Sequence, residues 1–275
     1  MDDTHSNNRK LKIYLRYNDL NHWSLFGDKR MKAVEIAKFL DKELKIKKIK
    51  DSSVNGLQFN SKQDVQKVGF AVDACISTFN YAVEQNVDLL IVHHGIKWKP
   101  PRFLEVYWTR EHFLKKNKLS LYAAHLPLDA HPEYGNNIGL AKVLGLKNIK
   151  MFAKYNGSFI GYMGAFDTKQ SVSQIEKKLN ITCRSYLFGA RSIKTIGIVS
   201  GGGADAAEEA ARKNLDCFLV GEINQGAYTR LQDLGMTTIV AGHYRTETFG
   251  VKSLQKLIEE KFELETVFID NPTGI

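Results

Sequence analysis

Residues 69–94 can be laid on residues 197–222 without a gap. Gly69 meets Gly197, Ala82 meets Ala210, Asn86 meets Asn214, Asp88 meets Asp216 and Val92 meets Val220. Both segments read as strand, helix, strand: apolar runs at 68–72 and 88–92 flank an amphipathic stretch at 76–85, and 194–199, 204–213 and 217–220 repeat the order. A second ungapped pairing follows. Residues 121–129 lie on 239–247, so that His125 meets His243 and Asp129 meets Glu247. A chain that writes strand–helix–strand–helix–strand twice is confined to an α/β fold with parallel pairing, built as two related halves. The first half is placed at 31–150 and the second at 151–275. Residues 1–30 are polar and aperiodic, and are read as an extension outside the main fold.

Three strand ends carry imidazole and carboxylate groups. His93 and His94 follow the apolar run at 88–92, His125 and Asp129 follow 121–124, and His243 and Glu247 follow 238–241. Ligands of α/β sheets lie at the carboxyl ends of strands. If the two copies pack about a pseudo-twofold axis, His93, His94, His125, Asp129, His243 and Glu247 meet in one cleft, with Glu222 a further candidate. Adjacent histidines at a strand end diverge, so each suits a different ion. Glu247 is placed to bridge two. Imidazole and carboxylate without thiolate suit Zn, Mn, Fe or Co. Taken singly, a His-His pair or a His-x-x-x-Glu pair has an ordinary structural reading; their shared position at strand ends favours two divalent ions per subunit.

Composition narrows the class. The chain has 275 residues, 43% of them hydrophobic and 25% charged, as in ordinary globular proteins. No apolar run approaches the roughly 20 residues of a membrane span, and no apolar signal core is present in the first thirty. Cys75, Cys183 and Cys217 form no Cys-x-x-Cys pair, which argues against a disulfide framework or a thiolate zinc site and for a reducing, cytoplasmic compartment. They are read as small core residues. The net charge of +9 favours an anionic, nucleotide-like ligand. No nucleic-acid module is present, and dispersed lysines read as solvated helix ends.

Further helices are expected at 33–44, 104–116, from Gly135 to 144, and at the C-terminus on Val251, Leu254, Leu257, Ile258 and Phe262. A hairpin is expected over 151–166. Ser171 and Gln174 have the spacing of a capping box. Asn55-Gly56 signals a turn, and Pro127 is read as keeping 125–129 out of helix. Ser200-Gly201-Gly202-Gly203 could bind phosphate through its amides or allow close backbone packing. Lys97, Trp98, Lys99 and Arg102 could stack on a base and contact phosphate. Arg245 could meet an anionic substrate or form a structural salt bridge. His112 is read as a packing or surface residue.

These residues also resemble a known family. Asn55-Gly56-Leu57-Gln58, Ile91-Val92-His93-His94-Gly95, Trp98-Lys99, residues 125–133, Gly135-Asn136-Asn137, Gly201-Gly202-Gly203, Gly221-Glu222, Ala241-Gly242-His243 and Glu247 resemble the NIF-three-like proteins, often named GTP cyclohydrolase type 2 homologues. The short bacterial YbgI branch is the most similar part of that family. The resemblance runs from Met31 to Pro272. It implies two interlinked α/β halves and a toroidal homohexamer with dinuclear sites facing an internal cavity. It also implies one metal on His93 and Asp129, a second on His94 and His243, Glu247 bridging, and His125 as a nearby substrate-facing or proton-shuttling group. The extension before Met31 lies outside the family pattern, the Trp-Asp that many members carry ahead of Asn55 is absent, as in the YbgI branch, and the inserted domain of longer members is missing. The expected activity is metal-activated hydroxide attack on a purine nucleotide, with ring opening of GTP as the family name suggests. Phosphoester hydrolysis of a nucleotide is one alternative, and a non-enzymatic metal-binding regulator is another.

Overall fold

The computed structural model describes residues 30–101 and 103–275. The extension before Met31 therefore lies, but for Arg30, outside the described residues, as does Arg102.

The first part of the chain runs β1 (Met31–Lys32), α1 (Ala33–Glu43), β2 (Gly56–Phe59), β3 (Asp64–Val65), β4 (Lys67–Asp73), α2 (Ile76–Glu84), β5 (Leu89–His94), α3 (Leu104–Lys116), β6 (Ser120–Ala123), α4 (Leu126–Ala130) and α5 (Asn136–Leu144). The second runs β7 (Lys147–Tyr155), β8 (Ser158–Ser171), α6 (Val172–Leu179), β9 (Arg184–Tyr186), β10 (Ser192–Val199), α7 (Ala207–Arg212), β11 (Cys217–Val220), α8 (Gln225–Asp233), β12 (Thr237–Val240), α9 (His243–Thr246), α10 (Thr248–Phe262) and β13 (Glu265–Phe268).

Two sheets result, a five-stranded one in the order β13-β4-β5-β6-β2 and a six-stranded one in the order β7-β8-β10-β11-β12-β9. Strands β4, β5 and β6 are parallel, as are β10, β11 and β12. Each trio is flanked beyond its third strand by an antiparallel neighbour, β2 or β9. The last strand, β13, lies parallel to β4 in the first sheet, so the end of the chain completes the half that its beginning started. Helices α1 and α10 bury Ile36, Leu40, Val251, Leu254 and Ile258 on one face of the first sheet. Phe79, Ala82 and Leu114 of α2 and α3 cover the other. The second sheet is sandwiched in the same way by α5 and α6 and by α7 and α8. The fold is α/β, two duplicated three-layer units. Among the described residues no helix is long and apolar enough to cross a membrane.

The duplication extends to individual hydrogen bonds. Val68 pairs with Leu89 across the first ladder and Ile196 with Cys217 across the second, both ladders in the register that the ungapped alignment requires. The carboxylate of Asp88 accepts from the amides of Gln66 and Lys67, and that of Asp216 from Lys194 and Thr195. Asn86 and Asn214 both take left-handed backbone, with φ of 56° and 53°.

The third strands differ from the sequence alignment by one residue. Leu89 faces Ser120 and Cys217 faces Thr237, while the amides of Ala124 and Ala241 donate to the carbonyls of Val92 and Val220. By ladder position His125 therefore corresponds to Gly242, not to His243. The spacing from second to third strand, Leu89 to Ser120 against Cys217 to Thr237, is eleven residues shorter in the second half, one more than an alignment of the strand tips by residue type implies.

Two local expectations are also corrected. Residues 126–130 form a short helix with Pro127 in its first turn, where a proline has no intrahelical N–H to lose. Gly56 has φ of +109°, yet it opens strand β2 rather than forming a turn. The capping box at Ser171 forms as expected: the amide of Gln174 donates to Ser171 Oγ at 3.2 Å, and the amide of Ser171 to Gln174 Oε1 at 2.8 Å.

Candidate metal centre

The first sheet supplies His93 and His94 as the last residues of β5. His125 precedes α4, which carries Asp129. The second half supplies His243 at the start of α9 and Glu247 at the α9–α10 junction, one helical turn apart and on one face. All six predicted residues meet in one place.

Glu247 stands at the centre with its side chain only 4% exposed. Its Oε1 lies 3.4 Å from His93 Nε2 and 3.1 Å from His243 Nε2, and its Oε2 lies 3.3 Å from His94 Nε2. His93 Nε2 is also 3.4 Å from Asp129 Oδ2. Three overlapping sets of donors able to hold a metal ion result among the described residues: His93, Asp129 and Glu247; His94, His243 and Glu247; His93, His94 and His125. Donors on one ion with bonds of about 2.1 Å stand about 3.0–3.4 Å apart, which is the spacing found.

The other nitrogen of each imidazole is anchored. His93 Nδ1 lies 2.9 Å from the Ala124 carbonyl, His94 Nδ1 2.8 Å from Asp73, His243 Nδ1 3.2 Å from Glu222 and His125 Nδ1 2.9 Å from Asp51. An Nδ1–H donated outward leaves the Nε2 lone pair facing the centre, the tautomer a metal ligand needs. Asp129 Oδ1 accepts from Asn136 Nδ2 at 2.9 Å and from Ser200 Oγ at 2.8 Å, so its Oδ2 is the free oxygen.

The unpaired valences point to a cation. His93 Nε2 and Glu247 Oε2 are buried with no hydrogen-bond partner, an arrangement that ordinarily costs about 1–3 kcal/mol per group. Burial alone would lower the pKa of His93; the carboxylates of Asp129 and Glu247 outweigh it and raise it to about 10. His243 rises to about 9 against its own burial, through Glu247 and then Glu222. Burial works against ionised Glu247 as well, but His94 and His93 hold its pKa well below the usual carboxylate range. The carboxylates thus favour positive charge at these imidazoles. The second sheet also leaves room: a Cβ on Gly201 would lie 2.1 Å from Glu247 Oε1 and 3.0 Å from His243 Nε2.

Asp51 and Asp73 carry no motif in the sequence, and Asn136 and Ser200, though part of noted motifs, were not expected to hold Asp129. Asp73 carried a signal, since it ends β4 opposite His94 in the parallel ladder. The Asn55–Gln58 stretch gains a role. Asn55 Oδ1 accepts the His125 amide at 2.7 Å, and Gln58 Oε1 accepts the amides of Ile96 and Lys97. The loop thereby fixes both histidine-bearing tips of the first sheet. In the Ser200–Gly203 turn the amides of Ser200 and Gly201 are taken by Asn137 and Thr246, which is the close-packing reading. Lys97 Nζ donates to the Gln58 carbonyl at 2.6 Å. Arg245 pairs with Asp270 at 3.5 Å, the structural alternative. His112 is exposed on α3.

Against known proteins, residues 31–274 match the family described as Duf34/NIF3 (NGG1p interacting factor 3). The chain belongs to that family. Relatives named GTP cyclohydrolase 1 type 2 homolog include one from Pyrococcus abyssi, 44% identical over 89% of this chain and 100% of its own length, and one from Pyrococcus horikoshii, 46% identical over 88% and 98%. Among solved structures, the protein ybgI superposes with a TM-score of 0.82 at 30% identity, covering 89% of this chain and 100% of that one. A Thermus thermophilus protein gives 0.80 at 37% identity over the same shares. This Duf34/NIF3 chain thus covers all or nearly all of the length of those relatives.

Proposed function

We propose that this protein is a dinuclear metal-dependent hydrolase acting on a purine nucleotide. The observation that carries the reading is the single buried carboxylate of Glu247, whose two oxygens reach three imidazoles while two of the facing atoms lack any hydrogen-bond partner. His93 and Asp129 would hold one ion, His94 and His243 the other, and Glu247 would bridge them. Bound divalent ions would supply Lewis acidity and lower the pKa of water.

The chain's own residues do the rest. Asp73, Glu222 and the Ala124 carbonyl fix the ligand tautomers. Asp51 is held by the amides of Ser53 and Leu126 and by Asn55. It orients His125, whose ring lies beside those of His93 and His94 and can pass a proton to or from a substrate atom. The nucleotide class rests on the names of the relatives and on the net charge of +9. Family membership supports assembly as a homohexamer, which light scattering on the purified protein checks.

The experiment measures bound metal, then follows formate and phosphate release from GTP and other nucleotides. Formate release supports ring opening, and phosphate release assigns a phosphohydrolase. Bound metal without turnover assigns a binding protein. Glu247→Gln that retains metal as fully as His112→Ala overturns the ligand set.

A further inference from the structure

A hollow of about 360 Å³ opens beside the metal centre, between the loop that follows β5 and the first turns of α3. Trp98, Phe103, Val106 and Tyr107 form its walls, and Lys99 and Arg110 stand at its edge. Among the described residues no carboxylate lines it. Trp98 belongs to both places. Its ring centroid lies 5.2 Å from that of His125 and 6.3 Å from that of His94, and its Nε1–H is tied to the Gly95 carbonyl at 3.0 Å.

The start of α3 is unusual for a helix on an α/β sheet. Of its thirteen residues only Leu114 is buried, while Phe103 just before it is 79% exposed and Val106 47%. Phe103 also takes left-handed backbone, φ 53°, an unfavourable conformation for a non-glycine residue. Tyr107 is held in place through its hydroxyl, which donates to Glu111 at 2.7 Å. Fixed aromatic rings around a small space, with two cations and no acid, select a planar aromatic ligand that carries negative charge.

Resting on the nucleotide reading above, we propose that this hollow receives the purine ring of the nucleotide. The ring lies against the Trp98–Tyr107 wall with its reacting edge toward His125 and the metal ligands, and Lys99 and Arg110 meet phosphate. Of Lys97, Trp98, Lys99 and Arg102, which could stack on a base and contact phosphate, Lys97 is spent within the fold and Arg102 lies outside the described residues; Val106, Tyr107 and Arg110 of α3 join Trp98 and Lys99 at the hollow.

The test uses the full chain, once as purified and once after chelation, so that phosphate cannot bind through metal. Calorimetry compares GMP, guanosine and ribose 5-phosphate. GMP should bind the chelated protein, guanosine more weakly, and ribose 5-phosphate at least about tenfold more weakly than GMP. Trp98→Ala and Tyr107→Ala should each weaken GMP about tenfold. Arg110→Ala should weaken GMP and leave guanosine unchanged. Val106→Trp fills the hollow from an exposed position and should abolish GMP binding with bound metal retained. Equal binding of ribose 5-phosphate and GMP, undiminished GMP binding by Val106→Trp, or no GMP binding at millimolar concentration would each overturn the proposal. The two readings fail separately: metal and turnover untouched by Val106→Trp sink the hollow alone, and GMP binding to a protein that never takes up metal sinks the hydrolase alone.

Discussion

The two halves agree at one end of their sheets and disagree at the other. Where the parallel strands begin, Asp88 and Asp216 hold the same pair of amides. Where the strands end, Asp73 in the first half corresponds to Gly201 in the second, and His93-His94 correspond to Gly221-Glu222. The first half offers imidazoles there and the second offers space. A Cβ on Gly221 would lie 2.6 Å from the Gly201 backbone, so no histidine fits that tip. The emptied tip admits His243 and Glu247 from the next connection. One framework used twice thus yields one site, because the two copies bring different residues to it: His93 and His94 from the second strand of the first, His243 and Glu247 from beyond the third strand of the second.

That contrast is broken most severely at Gly201. Gly201→Ala places a methyl group against Glu247 and His243 at a φ of +60°. Bound metal should fall to background, and stability should drop by about 3 kcal/mol from the left-handed backbone and overpacking together. Asp73→Gly makes the equivalent position match the second half and should weaken metal about 10–100-fold without eliminating it. Metal analysis and urea unfolding of both variants check this. Equal effects would mean that the tips have not diverged in role.

The next largest effect concerns protons. In chelated protein His93 and His243 have folded pKa values of about 10 and about 9, above the ordinary 6.5. Their contribution to stability is fully present below about pH 6.5 and is lost as pH rises through 9 and then 10. Glu247 is shifted the other way, so its contribution is present above its ordinary 4.5 and is lost as pH falls. Chelated protein should therefore lose stability from about pH 6.5 to 10. Metal-loaded protein should not, because metal binding displaces those protons. Unfolding midpoints across that range, with and without chelator, test it; parallel curves would show that the imidazoles are not proton-loaded in the absence of metal.

How much of this could be read from the sequence follows the range of each interaction. Strand-end histidines and their carboxylates were legible because the apolar runs before them fix where each strand stops. The duplication was legible from Gly69, Asn86 and Asp88 and their counterparts, whose backbone needs are local. Asp51 was not, since its hydrogen bond to His125 crosses from an irregular loop to a strand end far along the chain. Strands β2 and β9 escaped because segments of four and three residues carry no period. The one-residue slip of the third strand escaped because His125 and His243 look alike, whereas only ladder register distinguishes them.

Where the halves agree, the expected differences are smaller and their equality is the measurement. Asp88→Ala and Asp216→Ala each remove a half-buried carboxylate that accepts two backbone amides. Each should cost about 2 kcal/mol, and the two values should agree within about 0.5 kcal/mol. Metal content should be unchanged in both, since these residues lie at the opposite ends of the strands from the centre. A cost confined to one half would mean that the two floors are not equivalent.

The finest comparison is Asn86→Gly against Asn214→Gly. Both asparagines are exposed, both follow a helix, and both hold positive φ while the next amide reaches back to Ala82 or Ala210. That is the helix end where glycine is favoured. Relief of the left-handed backbone should exceed the added entropy of the unfolded chain by a few tenths, giving a gain of about 0.5 kcal/mol in each. Neither side chain packs against the core, so the effect reports backbone conformation alone. The double variant should gain the sum, because the two sites are in different sheets and share no partner. Denaturant midpoints resolve a difference of this size when both variants are measured side by side. A gain at one asparagine and a loss at the other would show that the shared φ hides different local strain, and that the duplication holds for the ladders but not for the turns that feed them.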